Sequence, residues 1–447
     1  MKRWLWRAFL VQALGEARDD RTLYAIGALA LAAAVAIAGT SFEPAPIADV
    51  VRRELTAVAV PRPGVPPQTY FAIEVERVEP DAALGPVGLR VDVAIASPAL
   101  ARVLLSDLRA LARARRGDAA VAATAPDPRR DPLAPAELAE LFERVCAPRG
   151  LGPVDTTPLR GVGRYRLRLA PPHPGEVSGG GRASLLFGWA TVDLTLFGIQ
   201  RSYHELLLYF QGMVANWLGG AFAMALAIVF VARDFPTLLA PGAAEHVLAR
   251  PHSRRAVFWA RWSCSVAVFA LLPLLLVGGG FLAVGLRAGL WNWPYLLAIP
   301  LVVLQFACMS ALAALFGVWT RSSTAATLAS FLAWGACGLA NLARGALVAM
   351  RASGLDQHPS LRAPDWFASG VEVLYWVLPS FGDFDYAVAW CIAQAPISPA
   401  LAAKILEQTG TMWMCESGDL GVSLARTVSL SALVLVLASA VFRRRDL

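Results

Sequence analysis

The chain alternates long apolar runs with short charged clusters. Leu23 to Phe42 carries no charge and is long enough to cross a bilayer core as a helix, which takes ~20 apolar residues. A second run extends from about Gln211 to Ala232, and three more follow at Cys264–Leu286, Pro294–Thr320 and Ser322–Ala343. A last one covers Leu420–Phe442, with Arg426 near one end, where a long cationic side chain can snorkel to the interface. The pattern predicts six spans. Ala36-Ile37-Ala38 has the form of a signal-peptide cleavage site, but Glu16, Asp19 and Asp20 precede the apolar run, unlike a short basic n-region. The first run is therefore read as an uncleaved span.

Between the first two spans the period changes. Phe71, Ile73 and Val75 alternate with Glu74 and Glu76; Leu89, Val91, Val93 and Ile95 with Arg90 and Asp92; Tyr165, Leu167 and Leu169 with Arg164, Arg166 and Arg168. Period two predicts half-buried strands. Two helices fit between them. Leu100, Leu104, Leu108 and Leu111 share one face, with Arg102, Arg109, Arg113 and Arg116 on another; Leu138, Leu141, Phe142 and Val145 follow Pro135, a suitable first-turn proline. Proline- and glycine-rich stretches at 61–67, 124–135 and 171–182 punctuate the region. Residues 43–205 are thus expected to form a small α+β domain, with 183–205 either a strand returning to the membrane or an interfacial segment. The arginine face of 102–116 reads as a solvated helix face, and His173 has no nearby ligand partner in sequence.

Composition agrees with lipid as the solvent. The chain is 57% hydrophobic and 16% charged, against the ~25% charge of soluble domains. Its net charge of +7 needs no nucleic acid to explain it, because basic residues flanking the spans already account for the excess. Arg far outnumbers Lys, and Ala, Gly and Pro are abundant, as in proteins of GC-rich bacteria. The six cysteines form no CxxC and no Cys/His metal spacing. Cys264, Cys308 and Cys337 lie in apolar runs, while Cys391 and Cys415 share a polar segment in which a disulfide is open if it faces an oxidising compartment. Orientation follows from the short loops. Lys2, Arg3, Arg7, Arg18, Arg21, Arg233, Arg250, Arg254, Arg255, Arg261, Arg321 and Arg443-Arg444-Arg445 fall on one side, which is expected to be cytoplasmic together with both termini. Trp291 and Trp293, in the short outer loop, read as aromatic-belt anchors.

One loop carries most of the functional information. From Phe235 to Trp262 the chain places Gly242, Glu245, Val247, Leu248, Arg250, Pro251, Ser253 and Arg254, with Arg255 next, between the second and third spans. A short helix would end near Pro251, and Ser253 is placed to cap the helix that follows. This order resembles the permease subunits of the ABC type-2 exporter family: a glycine, an acid, two apolar positions and an Arg/Lys-Pro-x-Ser-Arg turn after the second span. The N-terminal Trp4, Leu5, Phe9, Leu10 and Leu14, interspersed with Lys2, Arg3, Arg7 and Glu16, suit an interfacial amphipathic helix, and the basic C-terminus resembles the family's usual ending. The resemblance covers both ends and residues 206–345.

With the span count and the strand and helix periodicities above, it gives an α-helical polytopic membrane protein of the bacterial inner membrane with an inserted α+β periplasmic domain; that domain is longer than in the simplest members of the family, and nothing is carried over onto it. Residues 1–22 would be the amphipathic helix, 23–42 the first span, 43–205 the outer domain, and 206–345 spans two to five with a coupling loop at 233–262. Residues 346–419 would hold re-entrant or interfacial helices, and 420–447 the last span. The chain would not itself be an enzyme and would bind no cofactor: ATP and Mg would sit in a separate ABC ATPase subunit docked on the coupling loop. Its other partners would be a second permease copy or a paralogue, with the outer domain open to a periplasmic partner. The chain has no GxxxxGK[ST] of its own for nucleotide phosphates. Gly278-Gly279-Gly280 is expected to allow close helix packing, and Asp383 and Asp385, after Pro379-Ser-Phe-Gly, to serve as turn and cap residues. Competing readings are a secondary transporter, disfavoured by spans whose main polar insertions are Asn216, Gln305 and Asn341, and a membrane-anchored sensory module.

Overall fold

The structure is a computed structural model that describes residues 28, 31–37, 39–44, 46–62, 65–84, 88–115, 134–146, 151–161, 163–171, 180–193, 202–239, 253–352, 363–413 and 420–444. By its contacts the chain divides into two units: Phe42–Ala183 with Thr191–Leu206, and Met1–Ser41 with Ser184–Ala190 and Leu207–Leu447.

The first unit holds a four-stranded antiparallel sheet in the order β4-β5-β7-β6, made of β4 (Ile73–Pro80), β5 (Leu89–Ile95), β6 (Pro153–Pro158) and β7 (Arg164–Leu169). A hairpin of β2 (Val58–Arg62) and β3 (Val65–Tyr70) turns within the proline-rich stretch. A three-stranded sheet orders β1 (Ser41–Pro44), β8 (Gly180–Leu185) and β9 (Ala190–Asp193) as β1-β8-β9. Helices α1 (Ile47–Thr56), α2 (Pro98–Arg115) and α3 (Pro135–Cys146) share the core with the larger sheet. Leu89, Val91, Val93, Leu167 and Leu169 point into that core, as the alternation predicts.

Three details depart from the expected pattern. A bulge between Val75 and Arg77 shifts the register of β4, so Val75 faces Val93 but Val78 faces Val91. Phe71 lies outside the strand and is exposed. On α2 the buried stripe is Ala101, Leu104, Leu105 and Leu108, whereas Leu100 faces out; i, i+3, i+4 spacing describes it better than a column of leucines.

The polar side of the sheet is cross-linked. Arg166 donates from Nε to Asp92 Oδ1 at 2.7 Å and from Nη2 to Oδ2 at 3.0 Å, across the register pair that joins them. Arg90 and Arg168 meet on Asp81 at 3.3 and 3.1 Å, and Arg164 reaches Glu76 at 2.9 Å. The hydrogen bond from Arg166 holds Asp92 below the usual carboxylate range. The arginine face of α2 is likewise not simply solvated: Arg109 bridges to Glu140 of α3, which also receives Arg144 Nε at 2.7 Å.

Among the described residues five helices are long and apolar enough to cross a membrane, all in the second unit but for the first turn of α4: α4 (Tyr203–Leu238), α5 (Arg254–Ala288), α6 (Ala298–Thr320), α7 (Ser323–Ala352) and α11 (Leu420–Arg444). Most of the expected first span lies outside the described residues; 31–37 are helical, and Ser41 and Phe42 belong to β1 rather than to a span. Helix α4 begins eight residues earlier than its apolar run and carries a π-helical stretch at Met213–Phe222. Helix α6 is apolar all round, as a helix enclosed by others must be, and it packs against α4, α5, α7 and α11. Small side chains at Ala311, Ala313, Ala314 and Gly317 allow this; at Gly317 an added Cβ would lie 3.2 Å from Phe235 Cβ and Pro236 Cδ. By contrast, Leu271, Leu275, Leu328, Leu332, Leu433 and Leu437 face outward, as lipid-facing positions do. Of the three expected packing glycines only Gly280 is closely approached, an added Cβ there lying 3.2 Å from Tyr295 Oη, while Gly278 and Gly279 face open space. Three shorter helices, α8 (Asp365–Val377), α9 (Gly382–Ala393) and α10 (Pro399–Trp413), fill the segment before the last span.

Two measurements test this packing. Glu140 titrates at about 2, held down chiefly by the hydrogen bond from Arg109, against 4.5 for the free group. A depressed carboxylate stabilises the fold above its free pKa and ceases to as pH falls through the lower value. Glu140→Gln is expected to cost about 1 kcal/mol at neutral pH, discounted for partial exposure, with the cost shrinking as pH falls toward 2 and vanishing below it. Hydrogen exchange of peptides covering α2 and α3 checks both. At Gly285 an added Cβ would sit 2.5 Å from the Trp291 ring, so Gly285→Ala should destabilise the purified chain by about 1–3 kcal/mol in thermal unfolding.

Candidate functional site

Residues 240–252 lie outside the described residues, and Gly242, Glu245, Val247, Leu248, Arg250 and Pro251 with them. The flanks are described. Helix α4 runs to Leu238 and α5 starts at Arg254, with Ser253 Oγ accepting the N–H of Ala256 at 3.3 Å, the expected cap. Arg254 and the exposed Arg255 open α5, whose first turn has no acid. Cations there oppose the helix dipole, so these arginines are not placed for helix stability.

The two flanks are locked to each other. Arg261 Nη2 of α5 donates to Asp234 Oδ1 of α4 at 2.8 Å, and Ser265 Oγ donates to Asp234 Oδ2 at 2.7 Å. Asp234 is buried, so both oxygens are satisfied without water. Beside this pair the rings of Phe235 and Phe258 approach to 5.0 Å, and Phe258 meets Phe442 of α11 at 5.8 Å. Trp262 Nε1 donates to Ser310 Oγ of α6 at 2.8 Å. The feet of α4, α5, α6 and α11 therefore form one packed block at the two ends that the loop joins. Asp234 was legible as an acid closing an apolar run, but nothing in sequence pairs it with an arginine 27 residues later.

A second polar cluster ties α7, α8, α9 and α11 together. Asp383 Oδ2 accepts hydrogen bonds from Tyr375 Oη at 3.0 Å and from the hydroxyls of Ser380 and Ser423. Arg426 Nη2 donates to Ser380 Oγ at 2.8 Å and to Ser423 Oγ at 3.3 Å, and Thr427 Oγ1 accepts the N–H of Ser380. The guanidinium of Arg426 lies 4.3 Å from the Tyr375 ring centre and 4.8 Å from that of Trp376; Arg344 covers Tyr375 at 4.0 Å and donates to Glu372. This corrects two expectations. Arg426 turns inward to stacked aromatic rings and hydroxyls instead of snorkelling, and Asp383 is the hub of a buried network, beyond the role of a first-turn residue. Nothing in the periodicity separates Ser380, Ser423 and Thr427 from ordinary small helix residues.

A third set closes the other end of α4. Asn292 Nδ2 donates to Gln211 Oε1 and to the carbonyl of Ile392, each at 3.1 Å, and Tyr295 Oη donates to the Gln211 carbonyl. An apolar crevice beside the π-helical stretch is lined by Gly219, Gly220, Met224, Phe269 and Phe306. Gln305 is buried on α6, as is Asn341 on α7. Cys391 is a buried free thiol, and Cys415 lies outside the described residues, as does His173. Among the described residues no three His, Cys, Asp or Glu side chains gather as a metal site.

The ion pair at the foot of the hairpin gives a sharp test. Asp234→Asn removes the acid from the partly buried Arg261, and should cost about 2 kcal/mol in thermal unfolding. Asp234→Asn combined with Arg261→Gln should cost less than the sum of the two single changes, because the two residues are coupled. No family model, curated protein or solved structure matches the chain.

Proposed function

We propose that this chain is the membrane-spanning permease subunit of an ATP-binding-cassette transporter, an exporter of the bacterial inner membrane driven by a separate ATPase subunit. The observation that carries the reading is the braced α4–α5 hairpin. Its loop bears Gly242, Glu245, Val247, Leu248, Arg250, Pro251, Ser253, Arg254 and Arg255 in the order described above, and its two flanks are joined by Asp234 and Arg261. A push on that loop would reach α6 and α11 through packed side chains, since close-packed interiors transmit displacement.

Orientation supports the same account. Arg233, Arg254, Arg255, Arg261, Arg321, Arg443 and Arg444 gather at helix ends that the loop shares, and an excess of short-loop arginine marks the cytoplasmic side. Both termini would then be cytoplasmic and the α+β domain periplasmic. ATP and Mg would belong to the partner, and two permease copies or a paralogue pair would frame the path.

One observation favours the secondary-transport alternative: the Asp383–Arg426 cluster is the kind of intramembrane charge that proton and ion relays use. The energy source separates the two readings. Purification from native membranes in mild detergent should recover a P-loop ATPase, and Glu245→Ala or Arg254→Ala should lower ATP-driven transport about tenfold, a loss of about 1.4 kcal/mol of coupling. If no ATPase co-purifies, those substitutions leave transport intact, and an imposed proton gradient alone drives uptake or efflux, the permease reading is wrong.

A further inference from the structure

The turn between β8 and β9 has properties that an aqueous loop would not need. Residues 183–192 (Ala-Ser-Leu-Leu-Phe-Gly-Trp-Ala-Thr-Val) carry no charge and are bounded by Arg182 and Asp193. At its tip Phe187 is 67% exposed and Trp189 is 89% exposed. Phe187 adopts φ 59° and ψ 30°, the left-handed region, which costs an L-residue roughly 1–2 kcal/mol. Gly188 follows at φ 95°. Two large aromatic side chains are thus held outward by a strained turn when folding inward would have removed them from water.

What lies beside the tip identifies its partner. Ser184–Ala190 belongs by its contacts to the unit built of the long apolar helices. The Phe187 ring lies under the guanidinium of Arg287, 5.7 Å from its centre. Arg287 is in the last turn of α5, which Gly289 closes in the left-handed conformation. Leu286, next to it, is exposed. Trp291 and Trp293 follow, stacked at 6.4 Å, with Trp293 exposed as well. Tryptophan and a terminal arginine at the end of an apolar helix mark the headgroup level of a bilayer. A ring in contact with that arginine is within a side chain's length of the same level.

We infer that the β8–β9 tip, Phe187 and Trp189 foremost, inserts into the lipid interface beside the end of α5, so that the fitting partner is a phospholipid surface. The exposed rings are apolar bodies with, in Trp189, one polar N–H. That chemistry suits the boundary between headgroups and acyl chains. The uncharged ten-residue run meets no desolvation penalty there beyond its backbone, which the paired strands satisfy on their ladder side. The inference rests on α5 spanning the bilayer and is independent of what the protein transports.

The test uses the full chain in phosphatidylcholine/phosphatidylglycerol vesicles. An environment-sensitive fluorophore is attached through Trp189→Cys, with Cys415→Ser removing a thiol outside the described set; the five described cysteines are buried. A reference label is placed at the exposed Arg160 through Arg160→Cys. The label at 189 should show blue-shifted emission, strong quenching by a nitroxide near the headgroup end of a lipid chain, and loss of iodide quenching relative to 160. Phe187→Cys provides the same reading if Trp189→Cys does not fold. Iodide quenching at 189 equal to that at 160 overturns the inference, as does protection from both quenchers, which would mean that protein covers the tip. Neither result bears on the permease reading, whose own test is the recovered ATPase.

Discussion

Polar groups inside a slab of hydrocarbon must find their partners within the protein, and the spanning unit is organised around that demand. Its buried polar side chains are gathered into small sets where helices converge, and each set joins elements distant in sequence. Asp234 finds Arg261 and Ser265, Asp383 finds three hydroxyls with Arg426 behind them, and Gln211 finds Asn292. Dispersion alone gives little preference for one helix pairing over another in lipid, because the tails are as apolar as leucine. These sets therefore specify which helices meet and in what register. The middle of the bundle can then be built from Ala, Gly and Phe packing around α6.

The larger sheet of the first unit meets the same problem with a different solvent. Water covers its polar side, and the arginine–carboxylate ladder there includes bidentate Arg166–Asp92 and the Arg90–Asp81–Arg168 bridge. The partly exposed Arg166–Asp92 pair contributes little, whereas Asp81 is buried and relies on its two arginines. Their shared effect is on register: a slip of two residues in β7, which would keep the same face, would set Arg166 against Arg90 or Ala94 in place of Asp92. Hydrophobic alternation on the opposite side enforces the same register, so the two faces of the sheet agree.

Much of this was legible in advance because it depends on one-dimensional periodicity. The later apolar runs, the alternation in β5 and β7, the Leu138–Val145 stripe and the Ser253 cap all follow from spacing along the chain. What spacing cannot carry is the meeting of distant residues. Leu100 was placed on the buried face of α2 because leucines recur every four residues, yet the i, i+3, i+4 track through Leu105 is what packs. Arg426 was assigned to the interface from its position in a span, whereas Tyr375 and Trp376, fifty residues earlier, draw it inward. The proposed coupling loop is read from its residue order alone, and the structure contributes the packed flanks.

Helix α6 has a further consequence for how the protein is made. Its surface is covered partly by α4 and α5, which precede it, and partly by α11, the last helix, whose Leu435, Ala438 and Phe442 lie in the same cluster as Ala311, Ala314 and Val318. A nascent chain that has delivered α4 to α7 still has one flank of its central helix unsealed, including Cys308, which meets Ser431 of α11. The inserted domain can close its own core between Val51 and Leu169 long before that. Assembly of the two units is thus separated in time, and the bundle waits, open on one side, until α11 has left the ribosome.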